Sequence, residues 1–124
     1  MTRPEFRCSV RVQYLPEQSD PPRGPFAFAY TVTIVNTGDV AAQLVARQWL
    51  ISDAGGHTEE VRGLAVVGQQ PLLQPGQQFE YTSWTRLATP HGTMRGTFFC
   101  MTEDARAFDA PVPEFALVQP AALH

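Results

Sequence analysis

Lysine is absent from this chain. All nine basic residues are arginine, against twelve acidic ones, for a formal net charge of −3 over 124 residues. That balance argues against the basic face on which nucleic-acid binders depend. Arginine suits bidentate contacts with phosphate or with an interface better than lysine does, but composition alone places no such contact. Long apolar runs are missing too. Nothing approaches the ~20 apolar residues of a membrane span, so no membrane insertion is expected. The opening stretch "MTRPEFRCSV" has no apolar core of signal-peptide length, and a cytoplasmic location is the expectation. In that compartment the two cysteines, Cys8 and Cys100, stay reduced. Uninterrupted helix-forming stretches are also scarce, because eleven prolines and nine glycines punctuate the chain.

Strand alternation fills the space between those breaks. Phe6, Cys8, Val10, Val12 and Tyr14 share one phase, and Arg7, Ser9, Arg11 and Gln13 the other, as in a half-buried strand. After the polar, proline-rich "PEQSDPPRGP", the segment "FAFAYTVTIVN" sets Phe28, Tyr30, Val32 and Ile34 against Ala29, Thr31 and Thr33. The turn "NTGD" follows, where Asn36 and Gly38 tolerate positive φ. "AAQLVARQWLIS" has helix-favouring residues, but the hairpin-like "DAGGH" after it selects a strand, with Val45, Trp49 and Ile51 on one face and Arg47 among them. Further strands are "TEEVR", "QFEYTSWTRL" and "TMRGTFFCMT", with Met94, Phe98 and Cys100 in phase. Pro111 and Pro113 confine the last strand, "FDAPVPEFALV", to a sheet edge. The sum is an all-β chain of about seven antiparallel strands, a β-sandwich of the fibronectin type III or immunoglobulin-like kind. "LQPGQQF" resembles the L-x-P-x-x-x-Y turn of fibronectin type III domains, with Phe79 in the tyrosine's place.

Together these segments carry a family resemblance. Phe28 to Ile34 with Asn36 and Gly38 match "FAYTVTI-x-N-x-G", and Gln43, Leu44, Arg47, Trp49, Ile51 and Asp53 match "QL-x-x-R-x-W-x-I-x-D". Val66 to Gly68, Gln70, Pro71, Leu73, Pro75 and Gly76 match "VVG-x-QP-x-L-x-PG". Tyr81 to Ser83 match "YTS", and Thr89, Pro90, Gly92 to Met94 and Gly96 match "TP-x-GTM-x-G". The chain thus resembles the ApaG family, bacterial proteins also labelled cobalt/magnesium efflux proteins, nearly end to end. The resemblance implies one ApaG domain over residues 1–124, a fibronectin-III-like sandwich, and no catalytic activity or cofactor. Related domains in an F-box protein and a DNA-polymerase-delta-interacting protein point to an interaction module, linked only indirectly to cobalt and magnesium tolerance. Two positions depart from the family pattern. Ala65 replaces the middle glycine of a G-x-G-x-x-G, and Trp84 follows "YTS" where a smaller residue is usual.

Four candidate sites follow from the residues. "GLAVVG", Gly63 to Gly68, is one residue short of a dinucleotide fingerprint, whose glycines bring N–H groups to a pyrophosphate at a helix N-terminus. Pro71 and Pro75 forbid that helix and Ala65 removes the close-approach glycine, leaving a weaker anion nest of Arg62, Gly63 and Gly68 as the alternative function, phosphate or nucleotide binding. Val66 and Val67 otherwise anchor the loop to the core. His57, Glu59 and Glu60, and Glu103 with Asp104, have no metal-ligand pattern and are expected to be solvated turn charges. Cys100 with His91 or His57 is the one thiol–imidazole pairing, and Cys100 sits in a core phase, where a thiol is inert. Trp84 and Arg86 are out of phase with Phe79 and Tyr81. They are therefore expected to point outward as an interaction surface for a protein partner, with a homo-oligomer among the possibilities.

Overall fold

The computed structural model describes residues 2–120 and consists of two antiparallel sheets packed face to face. Eight strands run in chain order: β1 Phe6–Tyr14, β2 Phe26–Asn36, β3 Ala42–Asp53, β4 Thr58–Leu64, β5 Leu72–Leu73, β6 Gln78–Leu87, β7 His91–Thr102 and β8 Ala107–Val118. A single 3-10 turn, Pro16–Gln18, interrupts the loop between β1 and β2. One sheet has the order β1-β2-β6; the other has β4-β3-β7-β8, with β5 pairing beside β4 on the same strand, β3. The strand beyond the expected seven is the two-residue β5, too short for any periodicity to reveal.

Alternation places the core. Phe28, Val32, Ile34, Leu44, Met94, Phe98 and Leu117 have no solvent exposure, and Trp49 has 2%. The indole of Trp49 meets Tyr30, Phe98 and Phe115 edge-on at ring-centroid distances of 5.6, 5.8 and 6.2 Å, the geometry aromatic quadrupoles prefer. Two bulges shift the phase. The register of β3 against β7 slips between Leu44 and Ala46, so Leu44 rather than Val45 is the core residue before Trp49 and Ile51. A second slip pairs Met94 with Phe115 but Gly96 with Val112. It lets Ala110 and Val112 face inward on one side of the irregularity and Leu117 on the other. Bulges do this by adding one residue to one strand, which reverses the period-two pattern beyond it.

Asn36 is the buried polar hub of the fold. Its side-chain amide donates to the carbonyls of Val40 (3.0 Å) and Leu73 (2.9 Å), and its Oδ1 accepts from the Gly38 N–H (2.9 Å). It ties the "LQPG" turn to β2, the service a corner tyrosine gives elsewhere. Gly38 does not adopt the positive φ that the turn signal suggests. It is needed for close approach, since a Cβ there would lie 2.5 Å from the Arg3 carbonyl oxygen.

Candidate functional site

The glycine-rich stretch lies along the edge of β3 between its pairings with β4 and β5. The chain leaves β4 at Leu64, follows that edge, and rejoins β3 at β5. The bulge at Val45 leaves backbone groups that the loop satisfies. The Val45 carbonyl accepts from the Ala65 N–H (2.8 Å) and from Gln70 Nε2 (2.9 Å), while the Leu44 N–H donates to the Pro71 carbonyl (3.0 Å). Val66 is fully buried and exchanges two 2.8 Å hydrogen bonds with Gln69, closing a two-residue turn over Val67 and Gly68. Both turn residues have positive φ, 42° and 79°, as type I′ turns require. Val67 is therefore exposed (54%) and does not anchor the loop as expected. A β-branched residue is strained at positive φ. Val67→Asn should accordingly stabilise the fold by about 1 kcal/mol in urea melts, because Asn-Gly is the favoured pair for this turn.

The expected anion-binding residues do not converge on this loop. Arg62 Nε bonds the Glu60 carboxylate at 2.9 Å, on the strand rather than over the loop. Gly68 sits in open space at the turn tip. The guanidinium that does reach the segment is Arg47, whose Nη1 donates to the carbonyls of Leu64 (3.0 Å) and Ala65 (2.9 Å). It lies over Gly63, where a Cβ would stand 2.8 Å from the same nitrogen. Gly63 is thus a seat for Arg47, and the N–H groups of Ala65, Val66 and Gln69 are committed to the fold. Sequence reading placed Arg47 on the Trp49 face of β3 but missed this function, which depends on a contact across two strands.

Between the sheets, the edges of β4 and β6 flank an open seam. Part of it is a cleft of about 210 Å³, lined by Tyr30, Arg47, Glu59, Val61, Ser83 and Thr85 among others. Burial pushes the Tyr30 hydroxyl above its usual range, opposed by its hydrogen bond with Ser83 and by the Arg47 charge. Burial raises Tyr81 likewise. His57 and Glu59 line the neighbouring cleft. Glu60 faces elsewhere, bonded to Gln48 and Arg62, which hold its carboxyl below the usual range. Asp104 is held low by Thr102 and, to a lesser degree, by Arg106. Burial pushes both thiols, Cys8 and Cys100, up to about 12. Near neutral pH their thiolate fraction, and with it their nucleophilicity, is negligible.

On the outer face of the three-stranded sheet stands Trp84, 60% exposed. The Arg86 guanidinium lies 5.1 Å from its ring centroid, within cation–π range. These two side chains, with Leu15 and Gln18 from the β1–β2 loop, frame a shallow depression of about 370 Å³. The remainder of this face is polar. Thr31 and Thr82 share a 2.8 Å hydrogen bond, Thr33 donates to Glu80 at 2.9 Å, and Arg11 pairs with Glu80 at 3.8 Å.

A two-sheet antiparallel sandwich with an exposed Trp–Arg pair on one face defines the class of molecule: an all-β domain of fibronectin III-like architecture. The chain belongs to the ApaG family. The ApaG domain model matches residues 16–102. Protein ApaG of Ralstonia nicotianae is 59% identical over 124 residues, covering the whole of both chains. Protein ApaG of an Acidovorax species is 56% identical over 119 residues, covering 94% of this chain and 87% of its own. Among solved structures, an ApaA protein from Bordetella pertussis superposes with a TM-score of 0.93 at 51% identity, covering 96% of this chain and 97% of its own.

Proposed function

We propose that this chain, acting as one ApaG domain over residues 1–124, is a non-catalytic protein-interaction module of the cytoplasm. It uses no cofactor, and Trp84 and Arg86 form the core of its binding surface. The observation that carries this reading is the exposed Trp84 ring stacked with Arg86 on a sheet face. Tryptophan and arginine are enriched among the few residues that carry most of the binding energy at interfaces. The inert thiols weigh against nucleophilic catalysis. The link to cobalt and magnesium is indirect, through whatever protein this surface engages. No helix among the described residues is long and apolar enough to cross a membrane.

The alternative, phosphate or nucleotide binding by Arg62, Gly63 and Gly68, draws little support from a loop in which the N–H groups of Ala65, Val66 and Gln69 are bonded within the fold and Arg62 is paired with Glu60. A ligand panel separates the two readings. Specific ligands raise the melting temperature by mass action. Pyrophosphate, ATP, a dinucleotide, cobalt and magnesium should each leave it unchanged. A saturable, one-to-one stabilisation by a phosphate compound, lost in Arg62→Ala or Gly68→Ala, would establish the alternative instead.

A further inference from the structure

We propose that the free edge of β6 is a self-complementary dimerisation edge, to which a second copy of this chain adds its own β6 antiparallel, with Ser83 opposite Ser83. The proposal deepens the reading above by naming the partner as another copy. β6 is a terminal strand of its sheet, and its backbone polarity can be traced. The Asn36 N–H donates to the Gln77 carbonyl and the Leu15 N–H to the Ala27 carbonyl. With the β1–β2 and β2–β6 registers, this makes the even residues of β2 bond toward β6 and the odd ones toward β1. On β6 the odd residues are therefore engaged. The N–H and C=O groups of Gln78, Glu80, Thr82, Trp84 and Arg86 point away from the sheet.

Ten residues long, this edge has no proline and no bulge, and its two charges, Glu80 and Arg86, are of opposite sign. The outer strand of the other sheet, β8, has two prolines and a bulge. Charge complementarity selects both the occupant and the register. A two-fold pairing about Ser83 sets Glu80 opposite Arg86 of the second copy, twice, and Trp84 opposite Thr82. The two indoles then become diagonal neighbours, within reach of each other. Centring on Thr82 instead sets Glu80 against Trp84 and Arg86 against Gln78. Centring on Trp84 sets Arg86 against Thr82. Neither alternative pairs the charges. β4 could pair Glu60 with Arg62 about Val61, but those two neutralise each other within one chain at 2.9 Å, a closer pair than Glu80 makes with Arg11 at 3.8 Å, and Arg86 has no carboxylate partner among the described residues. A single-strand seam buries less than the ~1,200 Å² of a standard interface, so the dimer is weak, with a dissociation constant of roughly 10–500 μM.

Sedimentation and cross-linking test this directly. The wild type should dimerise reversibly below about 1 mM. Glu80→Arg and Arg86→Glu should each weaken the dimer roughly tenfold or more, because like charges then face each other. The double exchange should return it to within about threefold of wild type, with melts confirming that all three fold. Ser83→Cys should cross-link to itself on mild oxidation, since a non-hydrogen-bonded antiparallel pair lies within disulfide reach. Val61→Cys should not. A wild type that stays monomeric, a double exchange as weak as either single one, or cross-linking at Val61 instead of Ser83 would each overturn the proposal. If the protein is monomeric yet captures another protein through Trp84, the dimer falls and the interaction reading stands. A dimer indifferent to both exchanges overturns the proposal without touching the interaction reading.

Discussion

Trp49→Ala should destabilise the protein by roughly 3–5 kcal/mol, the range for deleting a large aromatic from a packed core. The indole is 2% exposed and makes edge-on contacts with rings from both sheets, Tyr30 on one side and Phe98 and Phe115 on the other. Its removal leaves a cavity that strands in a fixed ladder cannot close. The core would lose both the transfer free energy of the indole and several aromatic contacts. Urea denaturation with an unchanged m-value checks this. A loss below about 1 kcal/mol would mean that neighbouring rings refill the space.

Gly96→Val should cost at least about 3 kcal/mol, at or beyond the upper end of ordinary overpacking. Gly96 pairs with Trp49 across the β3–β7 ladder. A Cβ there would lie 2.5 Å from the Gln48 carbonyl oxygen and 2.5 Å from Cε3 of Trp49. The first of these contacts is backbone and cannot swing away. The two substitutions touch the same space, so their effects should not add. In the double variant Gly96→Val/Trp49→Ala, the valine enters room the indole has left. The summed loss should then exceed the measured one by about 1 kcal/mol or more. Strict additivity in the melts would show that the backbone contact alone sets the cost.

Phase was legible in the sequence wherever a strand ran without interruption. β6 has no bulge, and alternation from Phe79 and Tyr81 turned Trp84 and Arg86 outward, as they stand in the structure. β3 has one, and the same reasoning assigned Val45 to the core in place of Leu44. A bulge depends on what the neighbouring strand offers, and no local pattern announces it. The loop escaped for a related reason. Ala65 and Val67 hold positive φ against their own preference, because the groups left open at Val45 and the burial of Val66 outweigh local strain. Gly63 read as a phosphate-binding glycine, yet its constraint comes from Arg47 on the adjacent strand. β5 has two residues and no period at all.

The decisive measurement pairs a thermal melt with affinity capture from the native cell on the same variant, Trp84→Ala. Since Trp84 is exposed and stands outside the buried core cluster, the melting temperature of the variant should stay within about 2 °C of wild type, as for a surface change. Capture of the bound partner should weaken at least tenfold, about 1.4 kcal/mol. Arg95→Ala, on a strand of the opposite sheet, should leave capture unchanged. A stable Trp84→Ala protein that captures its partner as well as wild type would contradict the assignment of binding to this face, and an unfolded one would contradict its exposure.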